Sequence, residues 1–308
     1  MKGLELSEKY FNAYGLPLIK DKFSNYADRI AAGLAGDGSE CFGFDDEISR
    51  DHDWGPSFCI WLVHEDFDKF GYQLQEEISK LPKTFYGYGP RKISNWGEGR
   101  IGVFEISQFF LNYIGMDHIP ADLEEWLFIP ESALATSCNG KVFYDPLGEF
   151  TNWRKRLLEF YPEDVRLKKI ASRCMTVAQS GQYNFARSVK RGEYFAAQYA
   201  ETKFCADVIS MVFLINKKYA PYHKWMHRAV RELPVLGENI FLKIGDLITS
   251  HEYQKKIAII EDICSLVLKQ LRNEGLTDFS GDFLLDHGPI IQSRIKDPSL
   301  RGKNVWVG

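Results

Sequence analysis

The spacing of the hydrophobic positions changes about halfway along the chain. In the first half, short apolar runs with strand-like alternation lie between segments of helical spacing, as in a sheet flanked by helices. The predicted strands are 30–34, 51–54, 58–63 and 100–107, and the predicted helices are 1–14, 17–28, 65–81 and 108–113. From about Phe150 onward, apolar residues recur at three- and four-residue spacing, which predicts long helices.

The predicted helices fill most of the second half. They lie at 153–160, 162–189, 193–219, from 221 onward, twice within 236–274 and once within 281–296. Pro221 would begin one of them in the first turn, where its missing N–H costs nothing. The sequence thus predicts an α+β protein: a small mixed sheet in a domain of residues 1–148, followed by an all-helical bundle in residues 149–308.

Composition and charge narrow the class of protein. A chain of 308 residues with 45% hydrophobic and 26% charged residues is typical of a globular protein with two domains. The net charge of −4 argues against general DNA binding, which needs a basic surplus. No apolar run approaches the roughly 20 residues of a membrane span, so no membrane association is expected. The charged N-terminus and the six scattered cysteines favour a cytoplasmic enzyme with reduced thiols.

The stretch 36–55 carries the candidate chemistry, beginning with two acids. Asp51 and Asp53 are two residues apart, and on a strand alternate side chains point to the same face. Two carboxylates roughly 6–7 Å apart on one face would form half of a cage for Mg²⁺, which prefers oxygen ligands. The alternative is that this Asp-x-Asp pair belongs to a solvated, charged loop.

Gly38 and Ser39 follow the predicted strand 30–34 and precede a predicted helix start, where Ser39 would be the N-cap. Glycine lets the backbone approach a ligand, and N–H groups at a helix start bind phosphate oxygens. Alternatively, these are ordinary turn residues of a strand–helix junction. Combined with an Asp-x-Asp pair on the next strand, the turn predicts a phosphate site opposite a metal site.

This combination resembles the nucleotidyltransferases of the polymerase-β type, which carry Gly-Ser or Gly-Gly, a gap of about this length, and then Asp-x-Asp or Asp-x-Glu. Three segments more narrowly resemble a bacterial nucleotidyltransferase-like family of unknown function with a helical C-terminal domain. These segments are Ser49–Gly55, Ala178–Asn184 and Tyr219–Trp225. The narrower resemblance extends over nearly the whole chain, but it does not supply a substrate.

The resemblance implies transfer of a nucleoside monophosphate, AMP from ATP or its equivalent from another nucleoside triphosphate, to a hydroxyl with release of pyrophosphate. The acceptor is a small molecule, an RNA end or a protein. Two Mg²⁺ ions on Asp51, Asp53 and a third carboxylate would assist in-line attack. Glu105 is the candidate third acid, because on the predicted strand 100–107 it shares a face with apolar residues. A solvent-facing role for Glu105 is the alternative, and Glu98 is the second candidate.

The helical half offers the cations and flat side chains that a nucleotide needs. The predicted nucleotide-binding residues there are Arg187, Lys190, Arg191, Tyr222 and Lys224. Lys and Arg would meet the triphosphate and aromatic rings would stack on a base, although such residues are more often solvated or in a core. We expect this half to complete the active site. The layout resembles in outline the kanamycin nucleotidyltransferases, whose helical domain supplies the general base, and this resemblance implies Glu193, Glu201 and Asp207 as candidates for that role.

Two other classes of protein compete with the enzyme. The first is a nucleotide-binding regulatory or interaction module on the same fold, for example a toxin–antitoxin partner. The presence of both Asp51 and Asp53 weighs against it, since a module that only binds has less need of two acids. The second is an Asp-x-Asp glycosyltransferase, which leaves the Gly38–Ser39 turn unexplained.

Overall fold

A computed structural model describes residues 1–95, 97 and 99–308 of the chain. The contacts divide it into two compact units, Met1–Ile119 with Ala133–Glu159, and Pro120–Ser132 with Phe160–Gly308. The predicted α+β architecture is confirmed, with a small mixed sheet in the first unit and a helical second unit. The division differs from the predicted boundary at 148/149, because residues 120–132 belong to the helical unit and residues 149–159 to the first.

The sheet of the first unit has four strands in the order β3-β2-β1-β4. The strands are β1 (Ala31–Leu34), β2 (Cys59–Leu62), β3 (Gly102–Glu105) and β4 (Lys141–Tyr144). β1 runs antiparallel to both β2 and β4, whereas β3 runs parallel to β2. Three of these strands lie within predicted ones, and β4 was not predicted.

Both faces of the sheet are covered, which explains the unbroken apolar run of β2. On one face, Ile60 and Leu62 pack with Phe11 and Leu74 in a buried cluster. On the other face, the ring of Trp61 stacks on Phe150 with centroids 3.7 Å apart. Because alternate residues of β2 enter opposite cores, the short strand is anchored on both sides.

The helices α1 to α8 accompany the sheet in sequence. Their bounds are α1 (Gly3–Tyr10), α2 (Leu16–Lys22), α3 (His64–Asp66), α4 (Tyr72–Ser79), α5 (Ile106–Ile114), α6 (Leu123–Phe128), α7 (Glu131–Cys138) and α8 (Glu149–Leu158). Single π-helical stretches, Phe11–Gly15 and Phe67–Gly71, connect α1 to α2 and α3 to α4. α6 belongs to the second unit, and α7 starts in residues of the second unit and ends in residues of the first.

The second unit is built around two long helices that pack on each other. Its helices after α6 are α9 (Glu163–Val177), α10 (Ala186–Arg191), α11 (Tyr194–Ile215), α12 (His223–Val230), α13 (Gly237–Thr249), α14 (Tyr253–Asn273), α15 (Leu284–Ser293) and α16 (Pro298–Gly302). A π-helical stretch, Ala178–Phe185, joins α9 to α10. α9 is buried along most of its length, and it packs against α11 and α15. The helical spacing of this half therefore predicted its elements well.

Three local predictions were wrong. Residues 51–54 form a loop rather than a strand, because the short polar side chain of Asp51 bonds the backbone N–H of His52 and Asp53 has a left-handed φ of 51°. Ser39 begins no helix, since the N–H of Phe44 bonds back to Ser39 O and closes a series of turns. Pro221 lies before α12, whose N-cap is Tyr222.

All six cysteines are buried as free thiols, in agreement with the prediction of reduced, packed cysteines. Burial raises the pKa of Cys59 to about 12, so the thiol stays protonated at neutral pH. None of the helices in the described part of the chain combines the length and apolar character needed to cross a bilayer.

Candidate active site

Four chain segments meet at one edge of the sheet of the first unit. Gly33 of β1 lies opposite Cys59 of β2, and Leu34 lies opposite Lys141 of β4. Gly102 of β3 lies beside Cys59 in the parallel pair. The segment after β1 and the segments before β2, β3 and β4 are therefore neighbours. We call this edge, at Leu34, Cys59, Gly102 and Lys141, the site edge.

The turn after β1 is held by Asn139, which precedes β4. The side chain of Asn139 accepts a hydrogen bond from Gly36 N at 2.8 Å and donates one to Gly36 O at 2.7 Å. Within the described residues, no group accepts a hydrogen bond from the N–H of Gly38 or Ser39, or from the Ser39 hydroxyl. The predicted phosphate turn thus presents three available donors at the site edge, although it does so without a helix.

Gly38 also leaves space for a buried carboxylate next to the turn. A Cβ atom at Gly38 would lie 2.5 Å from Oε2 of Glu40. Glu40 is buried, and Arg91 NH1 lies 3.2 Å from its Oε1. Arg91 also donates to Ser57 Oγ at 3.1 Å, so it ties the turn to the segment before β2. A side chain at position 38 would break this buried ion pair.

Asp53 is buried and its carboxylate is bonded on both oxygens. Ser94 N donates to Oδ1 at 3.0 Å, and Ser94 Oγ donates to Oδ2 at 2.5 Å. Arg100 NH1 lies 3.3 Å from Oδ2. The backbone N–H of Asp53 donates to Lys92 O at 2.7 Å, and Gly97 leaves space for the carboxylate, because a Cβ there would overlap Oδ1. These contacts hold Asp53 at its left-handed φ.

Burial and the neighbouring charges leave the pKa values of Asp53 and Asp37 shifted in opposite directions. Burial raises the pKa of Asp53, but the Ser94 hydrogen bonds and the positive charges of Arg100 and Arg91 outweigh it, so the net shift is downward. For Asp37, desolvation raises the pKa, and the charge of Arg100 and a hydrogen bond from Tyr113 offset only part of that rise. Arg100 therefore acts on both Asp53 and the turn that carries Asp37.

Asp51 differs from Asp53 in its surroundings. Its side chain is 64% exposed, and its Oδ1 lies 2.8 Å from His52 Nδ1. In the absence of a strand, Asp51 and Asp53 are not paired on one face, and only Asp53 is fixed at the site edge. Asp51 remains two residues away on an exposed loop.

Glu105 lies at the opposite end of β3 from the site edge. It pairs with Leu62 at the end of β2, and it is five residues beyond Arg100, roughly 16 Å along an extended chain. Its carboxylate accepts from Ser107 Oγ at 2.5 Å and lies 3.3 Å from His64 Nδ1. The sheet therefore separates Glu105 from Asp53, contrary to the predicted grouping. Glu98, the second candidate, lies outside the described residues.

Within residues 1–95, 97 and 99–308, no three His, Cys, Asp or Glu side chains are grouped closely enough to hold a metal ion. The carboxylate of Asp53 is bonded by Ser94 and Arg100. The carboxylate of Glu105 accepts from Ser107 and lies close to His64. The three predicted carboxylates thus do not form a preformed three-acid metal site.

The predicted nucleotide-binding residues of the helical unit fall into two groups. Arg187, Lys190 and Arg191 are exposed on α10, where Arg187 lies over the Tyr183 ring at 4.5 Å. Tyr222 and Lys224 lie at the start of α12, with Lys224 over the Trp225 ring.

These two groups are far apart within the unit. Tyr222 lines a pocket together with Asp207 of α11, whereas α10 connects to the other end of α11, at Tyr194. Asp207 is thirteen positions beyond Tyr194, which corresponds to roughly 20 Å of helix. The structure therefore does not bring the predicted residues together as one nucleotide-binding wall.

Sequence reasoning missed several groups that build the site edge. These are Asp37, Ser94, Tyr113 and Asn139, together with the roles of Arg91 and Arg100. Asn139-Gly140 before the apolar run of β4 is a turn signal that could have located both β4 and Asn139. Ser94 and Arg100 carry no comparable local signal, because they reach Asp53 from 41 and 47 residues away.

Comparison with known proteins adds two likenesses. Residues 126–226 match a family described as "Domain of unknown function (DUF4037)". This match includes the segments Ala178–Asn184 and Tyr219–Trp225, which had suggested a family with an unknown-function label. Of the site edge, the match includes Asn139 and β4 but not the segments of β1, β2 and β3, and it assigns no activity. No curated protein matches the chain.

One solved structure is similar to this chain, "nucleotidyltransferase-like protein from Exiguobacterium sibiricum 255-15". The two are 12% identical, the likeness covers 87% of this chain and 77% of that one, and the TM-score is 0.35.

Proposed function

We propose that the protein transfers a nucleoside monophosphate, AMP from ATP, to a hydroxyl acceptor at the site edge. The observation that carries the proposal is the placement of Arg100, which contacts Asp53 and also acts on Asp37 of the Gly36–Ser39 turn. The charge of one side chain thus acts on both the turn and the acidic loop. The sequence motif had required the turn and the loop to be near each other.

The turn supports binding of phosphate. Free backbone N–H groups and a hydroxyl at Gly38 and Ser39 are the donors that phosphate oxygens accept. Arg100 adds a cation with spare capacity, since its Nε has no hydrogen-bond partner within the described residues. A triphosphate at this edge would meet donors on one side and the Asp53 loop on the other.

The acids support a Mg²⁺ site in which the protein supplies two carboxylates, from Asp51 and Asp53, rather than three. Asp51 and Asp53 offer the oxygen donors that Mg²⁺ prefers, and Asp51 is free to move because it is exposed. Bound there, the ion would neutralise charge on the transferred phosphoryl group. Glu105 does not join this set, because it lies at the other end of β3. Binding through Asp53 would require Arg100 to release its Oδ2, which would turn the guanidinium toward the phosphates.

The experiment follows the α-phosphate of ATP. The protein is incubated with Mg²⁺ and ATP labelled at either the α- or the γ-phosphate, in the presence of small hydroxyl compounds, RNA or protein. Nucleotidyl transfer moves the α label to the acceptor and the γ label to pyrophosphate. We expect Asp53→Asn to lose α-label transfer, while Asp21→Asn, an exposed acid on α2, keeps it.

The regulatory or interaction module remains the second candidate, because Asp53 is bonded within the protein and not exposed to a ligand. It predicts that ATP binds in calorimetry while no acceptor gains the α label. Equal label transfer by the wild type and by Asp53→Asn would reject the proposed role of this acid.

A further inference from the structure

The second unit contains a pocket of about 490 Å³. It is lined by residues 127–132, by Lys169 and Arg173 of α9, by the middle of α11, and by residues 220–223 and Met226 before and within α12. This volume is within the usual range for small-molecule sites. Apart from Gly308, every lining residue lies inside the stretch matched by the family of unknown function.

One cation of the pocket is fully compensated. Arg173 NH2 lies 3.2 Å from Oε1 of Glu131, and Ser210 Oγ donates to both oxygens of that carboxylate, at 2.8 and 3.0 Å. Arg173 Nε in turn donates to Ser210 Oγ at 2.8 Å. Arg173 NH1 also donates to Gly308 O at 2.9 Å, so the guanidinium is held by Glu131, Ser210 and the main chain of Gly308.

The second cation, Lys169, lacks an acidic partner. It is 4% exposed, and its Nζ donates to Leu127 O at 2.9 Å and lies 4.9 Å from the centre of the Tyr161 ring. Within the described residues, no carboxylate lies within ion-pair distance of it. An ammonium has three donors, so two of them face no protein acceptor. A buried, unpaired charge is costly, which is why such groups normally have a counter-ion.

The remaining acid of the pocket does not supply that counter-ion. Asp207 accepts from Lys203 Nζ at 2.9 Å, one turn away on α11. The lining side chains include two cations, Lys169 and Arg173, and two acids, but each acid is already paired with Arg173 or Lys203. Gly308 also lines the pocket, and its O accepts from Arg173 NH1 at 2.9 Å and from Ser172 Oγ at 3.3 Å. A monoanion would give Lys169 an ion-pair partner, whereas a phosphate dianion would add repulsion from Glu131 and Asp207.

We propose that this pocket is a ligand site for a small organic carboxylate, whose carboxylate pairs with Lys169. The rest of the lining favours an apolar body, because Leu127, Ile129, Pro221 and Met226 form much of the wall. The site lies wholly in the second unit and is independent of the proposed nucleotidyl transfer.

Benzoate and benzamide form a matched pair of probes, because they share a ring and a size but differ in charge. We expect calorimetry on the full chain to show benzoate binding at least ten times more tightly than benzamide. Benzoate should also raise the melting temperature more than benzamide does. Inorganic phosphate at the same concentration should have the smaller effect.

Substitutions test whether Lys169 causes the preference for benzoate over benzamide. Lys169→Met removes the charge and keeps the volume, so the protein should fold with an unchanged or higher melting temperature and lose the preference for benzoate. Lys168→Met is the matched control, since Lys168 is also buried but bonds Gln292 and Asn304 O outside the pocket. It should keep the preference. Ala206→Leu, which fills the pocket without changing charge, should weaken both probes.

Equal affinity of the wild type for benzoate and benzamide, or no binding of either, would overturn the proposal. The same holds if Lys169→Met binds benzoate as the wild type does. Lys169 would then be a structural residue held by Leu127 O and the Tyr161 ring.

Discussion

Arg100 NH1 lies 3.3 Å from Asp53 Oδ2, and this contact joins residues 47 positions apart. It connects the loop before β2 to the start of β3, where the two parallel strands begin. Asp53 is buried, so an ionised carboxylate there needs both the charge of Arg100 and the hydrogen bonds of Ser94. The pair keeps a negative and a positive group together beside the Gly36–Ser39 turn.

Arg100→Gln tests this contact directly. Removing the cation leaves Asp53 with only its Ser94 bonds, so the free energy of unfolding should fall by about 1–3 kcal/mol. If Arg100 also meets the triphosphate, the affinity for ATP with Mg²⁺ should fall roughly tenfold or more. Calorimetry and denaturant titration measure the two effects. Arg156→Gln, an exposed arginine of α8, is the control and should change neither.

The two aspartates should differ in their effect on stability. Asp51→Asn alters an exposed side chain, and its free energy of unfolding should stay within about 0.5 kcal/mol of the wild type. Asp53→Asn removes a buried charge bonded to Ser94 and Arg100, and should cost about 1–3 kcal/mol. Asparagine tolerates the left-handed φ, so strain does not contribute. Equal unfolding curves for the two variants would contradict the burial of Asp53.

The same aspartate predicts a dependence on pH. Its pKa is lowered in the folded protein, so its contribution to stability is present above the unfolded pKa and is lost as pH falls through the folded value. The stability advantage of the wild type over Asp53→Asn should therefore shrink below about pH 4. Urea titrations of both proteins between pH 3 and 6 measure this difference in the free energy of unfolding. The other acids titrate in both proteins, so their contributions cancel in the difference. A difference independent of pH would mean that Asp53 is not held ionised.

Sequence patterns were sufficient to predict those helices and strands whose buried positions recur regularly along the chain. The apolar run containing β2 and the helical spacing of α9 and α11 are periodic, because each element buries a continuous stripe or both faces. The site edge is not periodic. Asp53 takes its conformation from Ser94 and Arg100, which approach from a distant segment, and alternation alone wrongly predicted a strand there.

Residue type was a better guide than secondary structure within the site. The Gly-Ser turn and Asp53 were both selected for their chemistry, and both lie at the site edge. The grouping with Glu105 was wrong because it assumed that an acid in a neighbouring strand lies at the same end as the others. The register of β2 with β3, which the sequence does not reveal, places Glu105 at the far end.

Glu105→Gln tests that placement. The hydrogen bond that His64 donates to the Glu105 carboxylate, followed by the charges of Asp68 and Glu105, raises the pKa of His64. The variant should therefore lower the pKa of His64, as followed by NMR titration, with the resonance assigned by His64→Gln. ATP binding should stay within about twofold of the wild type, a change of about 0.4 kcal/mol. Loss of ATP binding or of α-label transfer in this variant would restore Glu105 to the active site.

The buried Lys169 should make stability rise with pH, as Asp53 does, but in an alkaline range rather than an acidic one. Burial lowers its pKa from 10.5 to about 8, against the charge of Glu131, which raises it, while Arg173 adds to the lowering. Below pH 8 the folded protein carries the cost of a buried ammonium. Between pH 8 and 10.5 the unfolded chain binds the proton and the folded protein does not, so this group favours the folded state increasingly as pH rises.

Lys169→Met lacks that titration. Its free energy of unfolding relative to the wild type should decrease by up to about 3 kcal/mol from pH 7 to pH 10.5, because one pKa unit corresponds to about 1.36 kcal/mol. The buried cysteines and tyrosines titrate in both proteins and cancel in the difference. Guanidinium titrations at intervals of one pH unit measure it. Benzoate should reduce the pH dependence in the wild type, since a bound carboxylate favours the charged lysine, whereas benzamide should leave it unchanged. A difference that stays constant with pH would show that Lys169 is protonated throughout and already has its counter-ion.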